Sequence, residues 1–111
     1  MFAARLDNML ESLKKEELQL IAENRKDEAA MIRIRANIAG IGKTVWQVVE
    51  RTEKAEDWKR VYCAKMDALR VAWQESRMRA EKYADQDKVL IEEIKLDQLE
   101  KVLDAFEECV A

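Results

Sequence analysis

Gly40-Ile41-Gly42-Lys43-Thr44 is the stretch on which the reading of this fold depends. It holds both glycines of a 111-residue chain that has no proline. No other segment signals so clearly that a helix should stop. Gly40 fits the left-handed position that ends many helices, and Lys43 and Thr44 would open the next one. The same residues also spell the end of a phosphate-binding loop. That loop requires a glycine five positions before Gly42, where the chain has Asn37, and a β-strand leading into it. An amphipathic segment leads into it instead, so the stretch reads as the turn of a helical hairpin. Weak anion binding by free N–H groups at the start of the second helix is the residual alternative.

The surrounding sequence calls for helices throughout. Ser12, Thr44, Thr52 and Ser76 are its only hydroxyl residues apart from tyrosine, and strong helix formers dominate. Before the glycines, Leu6, Leu10, Leu13, Leu20, Met31, Ile34, Ile38 and Ile41 step by fours and threes or their sums, the spacing of a packed seam. After them, Val45, Val48, Thr52, Ala55, Tyr62, Met66, Leu69 and Trp73 continue the same pattern. The phase then fails near Tyr83. A new seam of Leu96, Leu99, Leu103, Phe106 and Val110 follows, with Asp85 or Asp87 available as its cap.

These observations predict an all-α, single-domain protein (residues 1–111) of three antiparallel helices, over about residues 3–38, 44–84 and 88–109. The polar stretch 51–57 is read as continuous helix because it has no glycine, proline or good cap. About the first turn, residue i should face roughly residue 82 minus i, which sets Glu17 near Lys65. About the second, Cys63 should approach Cys109.

Helix lengths carry the functional expectation. At a rise of 1.5 Å per residue, the first two helices would span roughly 54 and 60 Å, and the third only roughly 35 Å. Half of the long hairpin would then be a bare two-helix arm tipped by Gly40 and Gly42. Ile34, Ile38, Ile41, Val45, Trp46 and Val49 on that arm form the candidate partner interface, because such a patch is rarely left open to water. A second copy of the chain, completing a larger bundle as a homodimer, is the expected partner; another protein is the alternative. The function expected is that of a non-catalytic interaction, scaffold or adaptor module.

Several other functions find little support. There is no histidine, which removes the usual general base, the usual zinc ligand and every Ser-His or Cys-His pair. Cys63 and Cys109 lack metal or disulfide-scaffold spacing. Glu16, Glu17, Asp27, Glu28, Glu50, Glu53, Glu56 and Asp57 offer carboxylates for magnesium, but no inward-facing pairing across two helices. A small metal-dependent nucleotide hydrolase is therefore the runner-up. A nucleic-acid accessory protein comes third. Its argument is the basic run 59–84 around Arg70, Trp73 and Arg77, which faces competition from the acidic run 85–111. No cofactor is expected. Neither a membrane span nor a secretory signal is apparent, and the default setting is cytoplasmic with reduced thiols.

Overall fold

A computed structural model describes residues 1–110. It is all-helical, with four long helices rather than three: α1 (Phe2–Ala22), α2 (Lys26–Thr52), α3 (Trp58–Lys82) and α4 (Gln86–Val110). A single 3-10 turn, Ala55–Asp57, leads into α3.

The Gly40–Thr44 turn is not there. Those residues lie in the middle of α2, and the Thr44 hydroxyl donates to the Gly40 carbonyl at 3.1 Å, a bond made within the helix. A glycine in a helix interior costs about 1 kcal/mol relative to alanine, which the fold tolerates where packing requires it. Gly42 is such a place. A Cβ there would lie 3.0 Å from Val102 Cγ1 and 3.3 Å from the Tyr62 hydroxyl, which donates to the Gly42 carbonyl at 3.0 Å. Gly40 has nothing within 4 Å of the equivalent point, so packing does not explain it.

The chain turns at three other places. After α1, Asn24 takes a left-handed φ of 60°. The N–H of Arg25 reaches the Leu20 carbonyl at 2.8 Å and the N–H of Asn24 reaches Ile21 at 3.0 Å. After α3, Ala84 takes φ 56°, with Asp85 bonded back to Ala80 at 2.9 Å and Ala84 to Glu81 at 3.1 Å. Both are the same two-bond helix stop. The second lies where the phase change placed it, and the Asp85 carboxylate accepts the Lys88 N–H at 3.2 Å. The polar stretch 51–57 is also a break. Glu53 and Lys54 are extended, and the Trp58 indole N–H donates to the Glu53 carbonyl at 3.0 Å, closing the corner.

The result is two αα-hairpins of one design, offset by 60 residues. Hairpin 1 is α1 with α2, and hairpin 2 is α3 with α4. Phe2 corresponds to Tyr62, Leu6 to Met66, Trp46 to Phe106 and Asn24 to Ala84, and burial follows the same pattern along both. Each hairpin is tied across its helices at one shared position. Glu17 pairs with Arg33, and Arg77 pairs with Glu93 with the charges exchanged. Glu17 thus meets the second arm of its own hairpin rather than Lys65.

The two hairpins join at their open ends. Phe2, Trp46, Tyr62 and Phe106 all touch one another, with ring centroids 4.7–5.6 Å apart. Burial pushes the Tyr62 phenol pKa well up from its ordinary value. Aromatic burial of this kind supplies much of a small domain's stability. From that cluster α2 and α4 run side by side in the same direction: Trp46 beside Phe106, Gly42 beside Val102, Arg35 beside Asp97. Both hairpin tips therefore point the same way.

Candidate interaction surface

The stripe on α2 that faces α4 is Met31, Arg35, Ile38, Gly42, Val45 and Val49. Its counterpart on α4 is Ile91, Lys95, Gln98, Val102, Ala105 and Cys109. Near the aromatic cluster both stripes are closed. Ile38, Gly42, Val49, Gln98, Val102 and Ala105 are all buried.

A polar layer follows. Arg35 donates to Asp97 at 2.6 Å and to Gln98 at 3.3 Å, and the Gln98 amide donates to Met9 Sδ at 3.3 Å. Lys95, the counterpart of Arg35, holds the buried carboxylate of Glu92 at 3.1 Å and lies 5.1 Å over the Trp73 ring. Two basic groups at equivalent points of a seam would repel, and each is answered by its own acid.

Beyond this layer the two stripes are less well covered. Met31 and Ile91, the next members of the two stripes, are 36% and 40% exposed. The apolar register outlasts the contact that buries it.

This region contains a groove of about 450 Å³ against hairpin 1. Leu20, Met31, Ile32 and Ile94 give it apolar walls. Glu16, Glu23 and Glu28 line it as well, with Arg25 bonded to both Glu23 and Glu28. The Gln19 amide, and then Arg25, hold the Glu23 carboxyl below its usual range, so this acid is ionised at neutral pH.

Hairpin 2 carries a second groove, of about 300 Å³, at the corresponding place. Every residue lining it is the 60-offset counterpart of one lining the first, but the chemistry differs. Glu16 becomes Ser76, Gln19 becomes Arg79, Leu20 becomes Ala80, Glu23 becomes Tyr83 and Glu28 becomes Lys88. The acidic character of the first groove is lost in the second.

The six residues expected on a bare arm are placed differently from one another. Ile38, Trp46 and Val49 lie in the intramolecular core, Val45 packs against it, and Ile34 is half-buried. Only Ile41 is exposed, at 38%. The expected arm followed from a hairpin turn at Gly40, and with that turn gone α3 and α4 cover this part of α2.

Other sequence candidates are paired within the fold. Lys43 lies 2.5 Å from Asp7. Arg70 meets Asp67 and Glu100, Arg77 meets Glu81 and Glu93, and Arg33 meets Glu17. Trp73 is covered by Lys95 rather than by Arg70 or Arg77. Cys63 and Cys109 are free, half-buried thiols against the core. Among the described residues, no group of three or more acidic or thiol side chains is placed to hold a metal ion, and no helix is long and apolar enough to cross a membrane.

The sequence reading missed the tip grooves because it missed the 60-residue repeat of the hairpin plan. At an offset of 60, only Ala4/Ala64, Asp7/Asp67, Asp27/Asp87 and Ile34/Ile94 are identical over the paired stretch. The conservative pairs Phe2/Tyr62, Leu6/Met66, Met9/Leu69 and Trp46/Phe106 carried the signal. Searches against protein-family models, curated proteins and solved structures found no match to this chain.

Proposed function

We propose that this protein is a non-catalytic helical interaction module that binds at its hairpin tips. One observation carries the reading: the apolar stripes of α2 and α4 continue past the polar layer to Met31 and Ile91, which the described residues leave 36% and 40% exposed. Exposed apolar surface rimmed by charge is a usual mark of a protein-binding site. The acidic groove beside it adds a preference for a basic, amphipathic occupant. The internal pairing of Arg33, Arg35, Arg70 and Arg77 supports a protein ligand over a nucleic acid. A chain without histidine supports binding over catalysis. The two free thiols fit a cytoplasmic setting.

The test is a titration of isotopically labelled protein, followed by NMR, with a synthetic amphipathic helix of leucine and lysine. Shift changes should gather on Leu20, Met31, Ile32 and Ile94, and Met31→Glu should remove them. No saturable change, or changes scattered over the outer faces of α1 and α3, would overturn the proposal.

A further inference from the structure

The two grooves occupy equivalent places, yet their surroundings carry different charge. Residues 16–28 hold five acidic and two basic groups, a net of −3. The equivalent residues 76–88 hold three acidic and four basic groups, a net of +1. The tip of hairpin 2 also presents large side chains that find no cover in the chain. Tyr83 is 75% exposed and Met78 is 65% exposed. Lys82 lies 5.9 Å from the Tyr83 ring centroid, while Arg79 and Lys88 line the same groove as Tyr83. Hairpin 1 offers walls of Leu20, Met31, Ile32 and Ile94 with the acids Glu16, Glu23 and Glu28. Arg25, bonded to Glu23 and Glu28, and Arg35 also line it, so three acids against two bases leave it net −1, where Arg79, Lys88 and Asp85 make the second groove net +1.

We propose that the groove of hairpin 1 receives the tip of hairpin 2 from a second copy of this chain, with Tyr83 as the inserted side chain and Arg79 and Lys88 against the acidic rim. This inference rests on the reading of the groove as a binding site and names its occupant. Both hairpin tips point the same way, so groove and tip lie at one end of the molecule and a two-fold axis lets both contacts form at once, which makes the proposed association a closed, isologous dimer. An aromatic anchor flanked by basic groups is the chemistry typical of interface centres, and the flanking charges set register and encounter rate.

Charge exchange tests it on the full chain. One variant makes the tip acidic, Arg79→Glu with Lys88→Glu. A second makes the groove basic, Glu16→Lys with Gln19→Lys. All four positions are exposed, and circular dichroism melts should confirm that both variants fold. Sedimentation equilibrium should show a wild-type dimer whose dissociation constant rises on going from about 0.1 M to about 1 M salt. Each variant alone should dissociate at least roughly tenfold more readily. Mixed together they should pair again, because the mixed dimer has one wild-type contact and one fully exchanged contact. Tyr83→Ala should weaken association without changing the melt.

A wild-type chain that stays monomeric into the hundred-micromolar range would overturn the inference. So would a dimer indifferent to both variants, or two variants that fail to recover on mixing. Peptide binding at Met31 and Ile94 would distinguish the two failures. If it persists in a monomeric protein, only the second copy as occupant is lost. If it is absent at concentrations where the chain is monomeric, the groove itself is not a binding site.

Discussion

Hairpins 1 and 2 have the same backbone plan and tips of opposite charge. Each places an aromatic residue from the first turns of its first helix, Phe2 or Tyr62, in the shared cluster, ends α1 or α3 with the same left-handed stop, and carries an ion pair between positions 17 and 33 or 77 and 93. The shared features all serve packing. Where packing no longer constrains the side chains, at the tips, the hairpins diverge: three glutamates and two arginines line one groove, and an arginine, a lysine, a tyrosine and an aspartate line the other. A repeated hairpin plan can keep its core by matching size and apolarity while its free ends carry separate chemistry. The matching core sets the shape, and the differing tips are where recognition is expected.

The largest test of this division is at the aromatic cluster. Phe106→Ala should destabilise the chain by about 4 kcal/mol, within the range for a fully buried aromatic, as read by urea denaturation. Because Phe106 touches Phe2 and Trp46 of hairpin 1 as well as Tyr62 of hairpin 2, both hairpins should unfold in one transition. Separate melting of the two halves would show that the cluster does not couple them. Met78→Ala, at a 65% exposed position of α3 outside the core, should change stability by less than about 0.5 kcal/mol.

Next comes the crossing of α2 and α4. Gly42→Val should cost about 2 kcal/mol, the usual penalty for overpacking a closed site. The substituent would press on Val102 and on the hydroxyl that bonds the Gly42 carbonyl. Gly40→Ala, two residues away with open space around it, should instead stabilise by about 1 kcal/mol through helix propensity. If both substitutions stabilised, α2 and α4 would not approach at Gly42.

These two glycines also show how much the sequence disclosed. The all-helical class, the apolar seams and the turn before α4 were legible because they rest on period and phase. The turn after α1 was not. Asn24 adopts the left-handed conformation without being glycine, and the register runs across it from Leu20 to Met31 with only a polar gap. The corner at Glu53 was hidden for a different reason: its fastening is a side-chain bond, from the Trp58 indole to the carbonyl of Glu53 five residues earlier, which leaves no mark in the apolar period. Two glycines two residues apart looked like a turn because glycine's conformational freedom and its small size leave the same mark in a sequence. Only the position of Val102 and Tyr62 tells them apart. The groove residues were individually visible as charged helix positions, but their common location depends on the pairing of α1 with α2.

The two stops provide a smaller comparison. Ala84 holds φ 56° with a Cβ that disfavours it, and Asn24 holds φ 60° with a side chain that tolerates it. Ala84→Gly should therefore stabilise by about 1 kcal/mol, and Asn24→Gly by no more than a few tenths, roughly the residual preference between those residues. Equal gains at both sites would mean that the asparagine contributes nothing to its turn.

The smallest expected effect lies in the polar layer, where Arg35 and Lys95 solve one problem in two ways. Arg35 reaches across to Asp97 on the other hairpin, and Lys95 holds Glu92 on its own helix. Only the first links the hairpins through an ion pair. The bond from Arg35, with help from Lys101, holds the Asp97 carboxyl below its ordinary range. A depressed carboxyl contributes stability above its unfolded pKa, near 4, and loses it as pH falls through the lower folded value. Thermal melts should therefore show an Asp97-dependent loss confined to pH values below about 4. In Asp97→Asn that component should vanish while stability at pH 7 drops slightly, since the pair is half open to water and screened. The loss should also shrink at high salt. An unchanged acid limb in Asp97→Asn would mean that Gln98 alone holds Arg35, and that the layer joins the hairpins through a neutral hydrogen bond instead of a charge.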